Sequence, residues 1–109
     1  MHELGIAMEV IDIVTERAEG ARVRRVVVEV GKLSLVSPDS LRFCFEAASQ
    51  GTAAEGAELV IEQLEGRGRC RVCGAEVTME SPVTACGCGA YDLEWISGDQ
   101  LMVRSLEIG

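Results

Sequence analysis

Four of the five cysteines fall in two short pairs, Cys70-Arg71-Val72-Cys73 and Cys86-Gly87-Cys88, each followed by glycine. No other feature limits the possible folds as sharply. The surrounding stretch, GRGRCRVCGAEVTMESPVTACGCGAYDLEWISG, is rich in glycine and poor in apolar residues. A segment of about 30 residues buries too little surface to fold unaided; units below about 40 residues usually need a metal, disulfides or a partner. Two tight thiol pairs on adjacent hairpins converge on one ion, which is the arrangement of a closed, structural zinc site with four cysteine ligands. The predicted zinc ligands are therefore Cys70, Cys73, Cys86 and Cys88. Glycines after the cysteines are expected to free backbone N–H groups for the sulfurs. Two other chemistries accept paired cysteines: redox disulfides and an iron–sulfur cluster. The first lacks a thioredoxin-like βαβ context here, and the second lacks ferredoxin spacing.

The rest of the chain has the makings of a conventional core. Hydrophobic residues make up 48% of its 109 positions, and the periodicities are those of an α+β fold. Apolar Leu4, Ala7, Met8, Ile11, Val14 and Ala18 predict a helix over 4–19 that stops at Gly20. In ARVRRVVVEVGKL, Val26, Val28 and Val30 share one face of a strand, opposite Arg25 and Glu29. Ser37 suits the N-cap of a second helix, with Pro38 first inside it and Gly51 just past its end. Its predicted buried face is Leu41, Cys44, Phe45 and Ala48, which makes Cys44 a packing residue. Residues 57–65 and 100–108 read as two more strands, with Arg104 interrupting the alternation of the second. The expected architecture is a small three-stranded mixed sheet with two helices, carried by 1–66 and 97–109, plus an inserted zinc-ribbon module over 67–96.

Composition narrows the function. A net charge of −8 argues against generic binding to a phosphate backbone. Arg67, Arg69 and Arg71 form a basic cluster just where the first cysteine pair begins, and a zinc-ribbon module binding nucleic acid or protein through it is the alternative reading. No apolar run approaches the roughly 20 residues of a membrane span. The amino terminus has no secretory pattern, so the cytoplasm is the expected compartment. There is no nucleophile beside a base and no phosphate-binding loop, so no enzyme is expected.

The only histidine is the second residue, in MHELGIAMEV. A histidine at a terminus is ordinarily a bystander, but this placement carries specific chemistry. A free amine, the deprotonated amide of residue 2 and the His2 imidazole close fused chelate rings around one ion. Such all-nitrogen ligation favours Ni(II) or Cu(II). Removal of the initiating methionine favours small second residues, so His2 leaves Met1 in place, and Glu3 can add an amide or a carboxylate oxygen. Protons compete for these ligands, so affinity is expected to fall below neutral pH.

Taken in order, MHE, a helix, RRVVVEVGKLS, LRFCFEA, GTAAEGAEL, CxxC, a second cysteine pair and a last strand resemble the HypA/HybF family of hydrogenase maturation nickel metallochaperones over essentially the whole chain. The resemblance implies transient Ni(II) cargo held at His2 with Met1 and Glu3, and structural Zn(II) on Cys70, Cys73, Cys86 and Cys88. It also implies work with the GTPase HypB, delivery to the nickel–iron hydrogenase large subunit, and in some organisms service to urease accessory proteins. No nucleic acid or membrane partner is expected, and the chain is expected to be a monomer or weak homodimer. Two departures stand out. The second cysteine pair is one residue shorter than the family's common CPxC. Gly98-Asp99-Gln100-Leu101 also stands where many members read GxEL.

Overall fold

The computed structural model describes residues 2–109; the Met1 part of the expected nickel site lies outside the described residues. The elements run α1 (His2–Ala18), β1 (Val23–Gly31), a 3-10 turn (Lys32–Ser34), α2 (Pro38–Ser49), β2 (Glu58–Leu64), β3 (Gly66–Cys70), β4 (Glu76–Met79), β5 (Leu93–Ser97) and β6 (Leu101–Ile108). The three expected strands form one sheet in the order β2-β1-β6. With two helices beside it, this is the expected α+β fold. Among the described residues no helix is long and apolar enough to cross a membrane.

The chain divides into two compact units. One holds the chain up to Val28, Val36–Glu62 and Met102–Gly109; the other holds Glu29–Leu35 and Gln63–Leu101.

In the first unit, α1 buries Ala7, Val10, Ile11, Val14 and Ala18. Leu4 and Met8, expected on that face, are 45% and 54% exposed. At about 100° per residue the buried arc is centred between Val14 and Ala7. Val10 marks one edge of that arc, while Leu4 and Met8 fall beyond the other. The second helix begins as its sequence dictates: the Ser37 hydroxyl accepts the Ser40 N–H at 3.3 Å, and Pro38 follows. Leu41 and Phe45 are buried, but Cys44 is only half-buried and Ser49 takes its place in the core. Burying Ser49 costs little because its hydroxyl donates to the Glu46 carbonyl at 3.1 Å.

Val23, Val26 and Val28 are buried along β1. Between them Arg25 reaches Glu58 of β2 at 3.2 Å and Glu107 of β6 at 3.3 Å. Arg104, which broke the alternation of β6, pairs with Glu62 of β2 at 2.5 Å. These pairs are exposed, and pairs of this kind contribute little to stability.

The second unit contains a sheet whose strands have no apolar signature, in the order β4-β3-β5 and antiparallel throughout. Its central strand reads Gly66-Arg67-Gly68-Arg69-Cys70, with burial alternating from the first residue. The inward positions are glycines because other side chains already fill that space. A Cβ on Gly66 would lie 2.5 Å from Leu33 Cγ, and one on Gly68 would lie 2.6 Å from the Met79 sulfur. The core is Leu33, Cys70, Met79, Cys86 and Leu93; Leu33 comes from the 3-10 turn after β1.

The backbones at the base of this unit approach closely. A Cβ on Gly31 would fall 1.9 Å from the Gly98 carbonyl oxygen, and one on Gly98 would fall 2.3 Å from Gly66 Cα. Backbone bonds fasten the same place: Gly31 N–H to Gln100 O at 2.8 Å and Leu33 N–H to Gly98 O at 2.9 Å. Gln100 accepts the Gly98 N–H through its side-chain oxygen at 2.8 Å.

Candidate metal centres

The four paired cysteines converge. Their sulfurs all lie within 4.8 Å of one another, with Cys70 and Cys88 3.7 Å apart and Cys73 and Cys86 3.5 Å apart. Four sulfurs at about 2.3 Å from a central ion, tetrahedrally arranged, stand about 3.8 Å apart. The donor set and spacing therefore fit zinc, and the shortened Cys86-Gly87-Cys88 pair still brings both thiols to the cluster. All five cysteines are free thiols. Cys70 and Cys86 are buried, whereas Cys73 and Cys88 face solvent.

Local backbone geometry prepares the first pair. Cys70 closes β3, and its sulfur accepts the N–H groups of Val72 at 3.4 Å and Cys73 at 3.5 Å. These donors belong to the knuckle itself, not to the glycine after it. Gly74 instead donates its N–H to the Cys70 carbonyl at 2.9 Å, closing the turn. The second pair turns through Gly89 N–H to Cys86 O at 2.9 Å and Cys86 N–H to Ala90 O at 2.8 Å.

These bonds separate the thiols electrostatically. Cys70 is drawn down to about 7, chiefly by the Cys73 N–H; burial opposes the shift and the Val72 N–H assists it. Cys73 moves the other way, to about 11. The Ala75 N–H pulls it down, but the Cys86 and Cys88 sulfurs, together with burial and Cys70, outweigh that pull. A cation at the centre would relieve the crowding of negative charge that holds the Cys73 proton in place.

The arginines of the basic cluster are paired within their own unit. Arg67 and Arg69 both pair with Glu76 on the neighbouring strand β4, Arg69 at 3.3 Å. Arg71 pairs with Asp92 at 3.1 Å, beside the backbone bond from Arg71 N–H to Asp92 O. The nearest anions to these arginines are the unit's own carboxylates.

At the other end, His2 is the first residue of α1 and is exposed. The N–H groups of a helix's first turn have no partner within the helix. Deprotonating the amides of residues 2 and 3 would therefore break no helical hydrogen bond. Glu3 follows, and its Oε2 accepts the Ser37 N–H at 3.1 Å while lying 3.7 Å from His2 Nε2. The Ser37 N–H is the main cause holding the Glu3 carboxyl below its ordinary value. No motif in the sequence marks this partnership, which joins two elements across 34 positions.

Fold and thiol cluster together define a small α+β protein with a metal-type centre of four cysteines. The family model described as hydrogenase/urease nickel incorporation, metallochaperone, hypA, matches residues 1–108. The hydrogenase maturation factor HypA of Nostoc punctiforme is 48% identical over 108 residues, covering 99% of this chain and 96% of the relative. The protein of that name from Geobacter metallireducens is 45% identical over 109 residues, covering 99% of each. The solution structure of the Ni metallochaperone HypA from Helicobacter pylori has a TM-score of 0.67 at 21% identity, over 97% of this chain and 96% of that one; it shares the fold. The chain belongs to the HypA family. It is accordingly a nickel-incorporation metallochaperone, a maturation factor and not an enzyme.

Proposed function

We propose that this chain takes Ni(II) at its amino-terminal Met1-His2-Glu3 segment and passes it on for maturation of nickel–iron hydrogenase, with urease as a second recipient. In this reading His2 supplies its imidazole and an amide nitrogen, and Met1 supplies its amine. Zinc sits permanently on Cys70, Cys73, Cys86 and Cys88 and fixes the ribbon. The division into 1–66 with 97–109 for nickel and 67–96 for zinc follows the same logic, with 29–35 packing alongside the zinc part. The implied partners are the GTPase HypB, the hydrogenase large subunit and urease accessory proteins, met in the cytoplasm by a monomer or weak homodimer.

The observation that supports this reading most is the position of His2. It opens a helix, is exposed, and lies in a turn whose amides are not needed by the helix. Deprotonated amides would also offset the unfavourable placement of a cation at the positive end of the helix dipole. Ligands on an exposed terminus release an ion easily, which suits cargo. The test is a Ni(II) titration of zinc-loaded protein with its native start, beside His2→Ala and a form with residues added before Met1. Tight binding by the native form alone is expected. Equal binding by all three would remove the terminus from the nickel site.

A further inference from the structure

The carboxylate of Glu3 is already engaged. Its Oε2 accepts the backbone N–H of Ser37 at 3.1 Å, and Ser37 is the N-cap of α2. A carboxylate there makes a charge-assisted bond and also meets the positive end of the helix dipole. The Glu3 side chain is only 20% exposed, against 59% for His2 beside it. The same Oε2 lies 3.7 Å from His2 Nε2.

Chelate geometry decides which imidazole nitrogen meets the metal. From the amide nitrogen of His2 through Cα, Cβ and Cγ, the nitrogen that closes a six-membered ring around an ion is Nδ1. Nε2 lies on the far side of the ring and cannot reach the same ion without straining it. With Nδ1 on the metal, Nε2 carries the proton and points outward. Metal-bound histidines commonly donate that second N–H to a carboxylate, which fixes the ring and strengthens the ligand. The carboxylate beside Nε2 is that of Glu3.

We infer that Glu3 is a positioning residue for nickel and not a ligand through its side chain: its carboxylate orients the His2 imidazole through Nε2 while clipping the start of α1 to the N-cap of α2. This rests on the proposed nickel site at the terminus. Direct ligation by the carboxylate would pull it from Ser37 and leave that N–H without its acceptor. The positioning role lets nickel arrive and leave with α2 undisturbed.

Glu3→Gln and Glu3→Ala, each with the native start, separate the possibilities. Gln keeps a carbonyl oxygen for both donors; Ala keeps none. In metal-free protein the Ser37 amide should exchange about tenfold faster in Glu3→Ala than in wild type, with Glu3→Gln near wild type. Unchanged exchange in Glu3→Ala would overturn the clip. In Ni(II) titrations Glu3→Ala should lose roughly tenfold in affinity, the lower end for outer-sphere partners of a metal ligand. Glu3→Gln should stay within about threefold, and the absorption bands of the nickel complex should keep their positions in both. Equal losses with shifted bands, or faster Ser37 exchange on nickel loading of wild type, would make the carboxylate a ligand and overturn the inference. Undiminished binding by His2→Ala would overturn the terminal site, and the orienting role with it. The metal-free exchange comparison reports on the clip independently of nickel.

Discussion

The two units solve the problem of cohesion in opposite ways. The first packs Ala7, Val10, Ile11, Val14, Val26, Val28, Leu41 and Phe45 into a core from two helices and a sheet. Its proposed metal site lies outside that core, on an exposed histidine. In the second unit two of the five core residues, Cys70 and Cys86, are themselves members of the thiol cluster. A metal bound by core residues becomes part of the fold, whereas one bound at an exposed helix end can come and go while the fold stays as it is. One protein can thereby hold one ion and hand over another.

Stripping zinc offers the hardest test of this contrast. Structural zinc contributes about 10–16 kcal/mol in small fingers, comparable to the whole stability of an ordinary domain. The only tryptophan of the chain, Trp95, lies on β5 in the second unit, so its fluorescence reports on that unit alone. A strong chelator, or Cys70→Ser, should shift Trp95 emission to that of an unfolded segment. Far-UV helix signal should persist, because α1 and α2 belong to the first unit. Joint loss of both signals would show that the units are not independent in stability.

A second test acts on backbone packing. Gly31→Ala places a methyl 1.9 Å from the Gly98 carbonyl oxygen, against backbone that has no rotamer to move. A cost of at least about 3 kcal/mol is expected, at the upper end of overpacking effects. Gly87→Ala, inside the second cysteine pair, meets nothing within 4 Å and should change stability by less than about 0.5 kcal/mol. Chemical denaturation of the zinc-loaded variants, followed through Trp95, measures both. A severe loss in Gly87→Ala would mean that the shortened knuckle, not the base of the unit, limits this half of the molecule.

The same contrast explains what could be read from sequence. In the first unit burial is carried by Val, Leu and Phe at helical or strand spacing, so both helices and the sheet were legible. The face of α1 was displaced by one edge because Leu4 and Met8 satisfy the period as well as Val10 does. In the second unit the inward positions of β3 are glycines, so a strand lies there with no hydrophobic alternation to mark it. Leu33, which fills the space left at Gly66, comes from more than thirty positions earlier. The thiol cluster was legible because ligand spacing is itself local. The Glu3–Ser37 bond was not, because nothing near either residue announces the other.

The smallest expected effect compares one carboxylate from each unit. Glu3 and Glu76 are both held below the ordinary value of 4.5, but by different means. For Glu3 the main cause is a neutral backbone N–H from Ser37; for Glu76 it is the hydrogen bond and charge of Arg67. A carboxyl with a depressed value in the folded state adds stability that is fully present above its unfolded value. That stability is lost as pH falls through the lower folded one. Both contributions therefore vanish in the acid range below about 4.5, and neither changes near neutrality. Salt distinguishes them. Exposed opposite charges are screened at 1 M ionic strength, where the Debye length is about 3 Å, while a short bond to a neutral amide is not. NMR titration of the two side-chain carboxyls, in low and high salt on zinc-loaded protein, should return Glu76 toward its ordinary value and leave Glu3 depressed. If Glu3 returned as well, its depression would come from nearby charge and the Ser37 N–H would not be its main partner. If neither moved, the Arg67–Glu76 pair would be held more rigidly than its exposure implies.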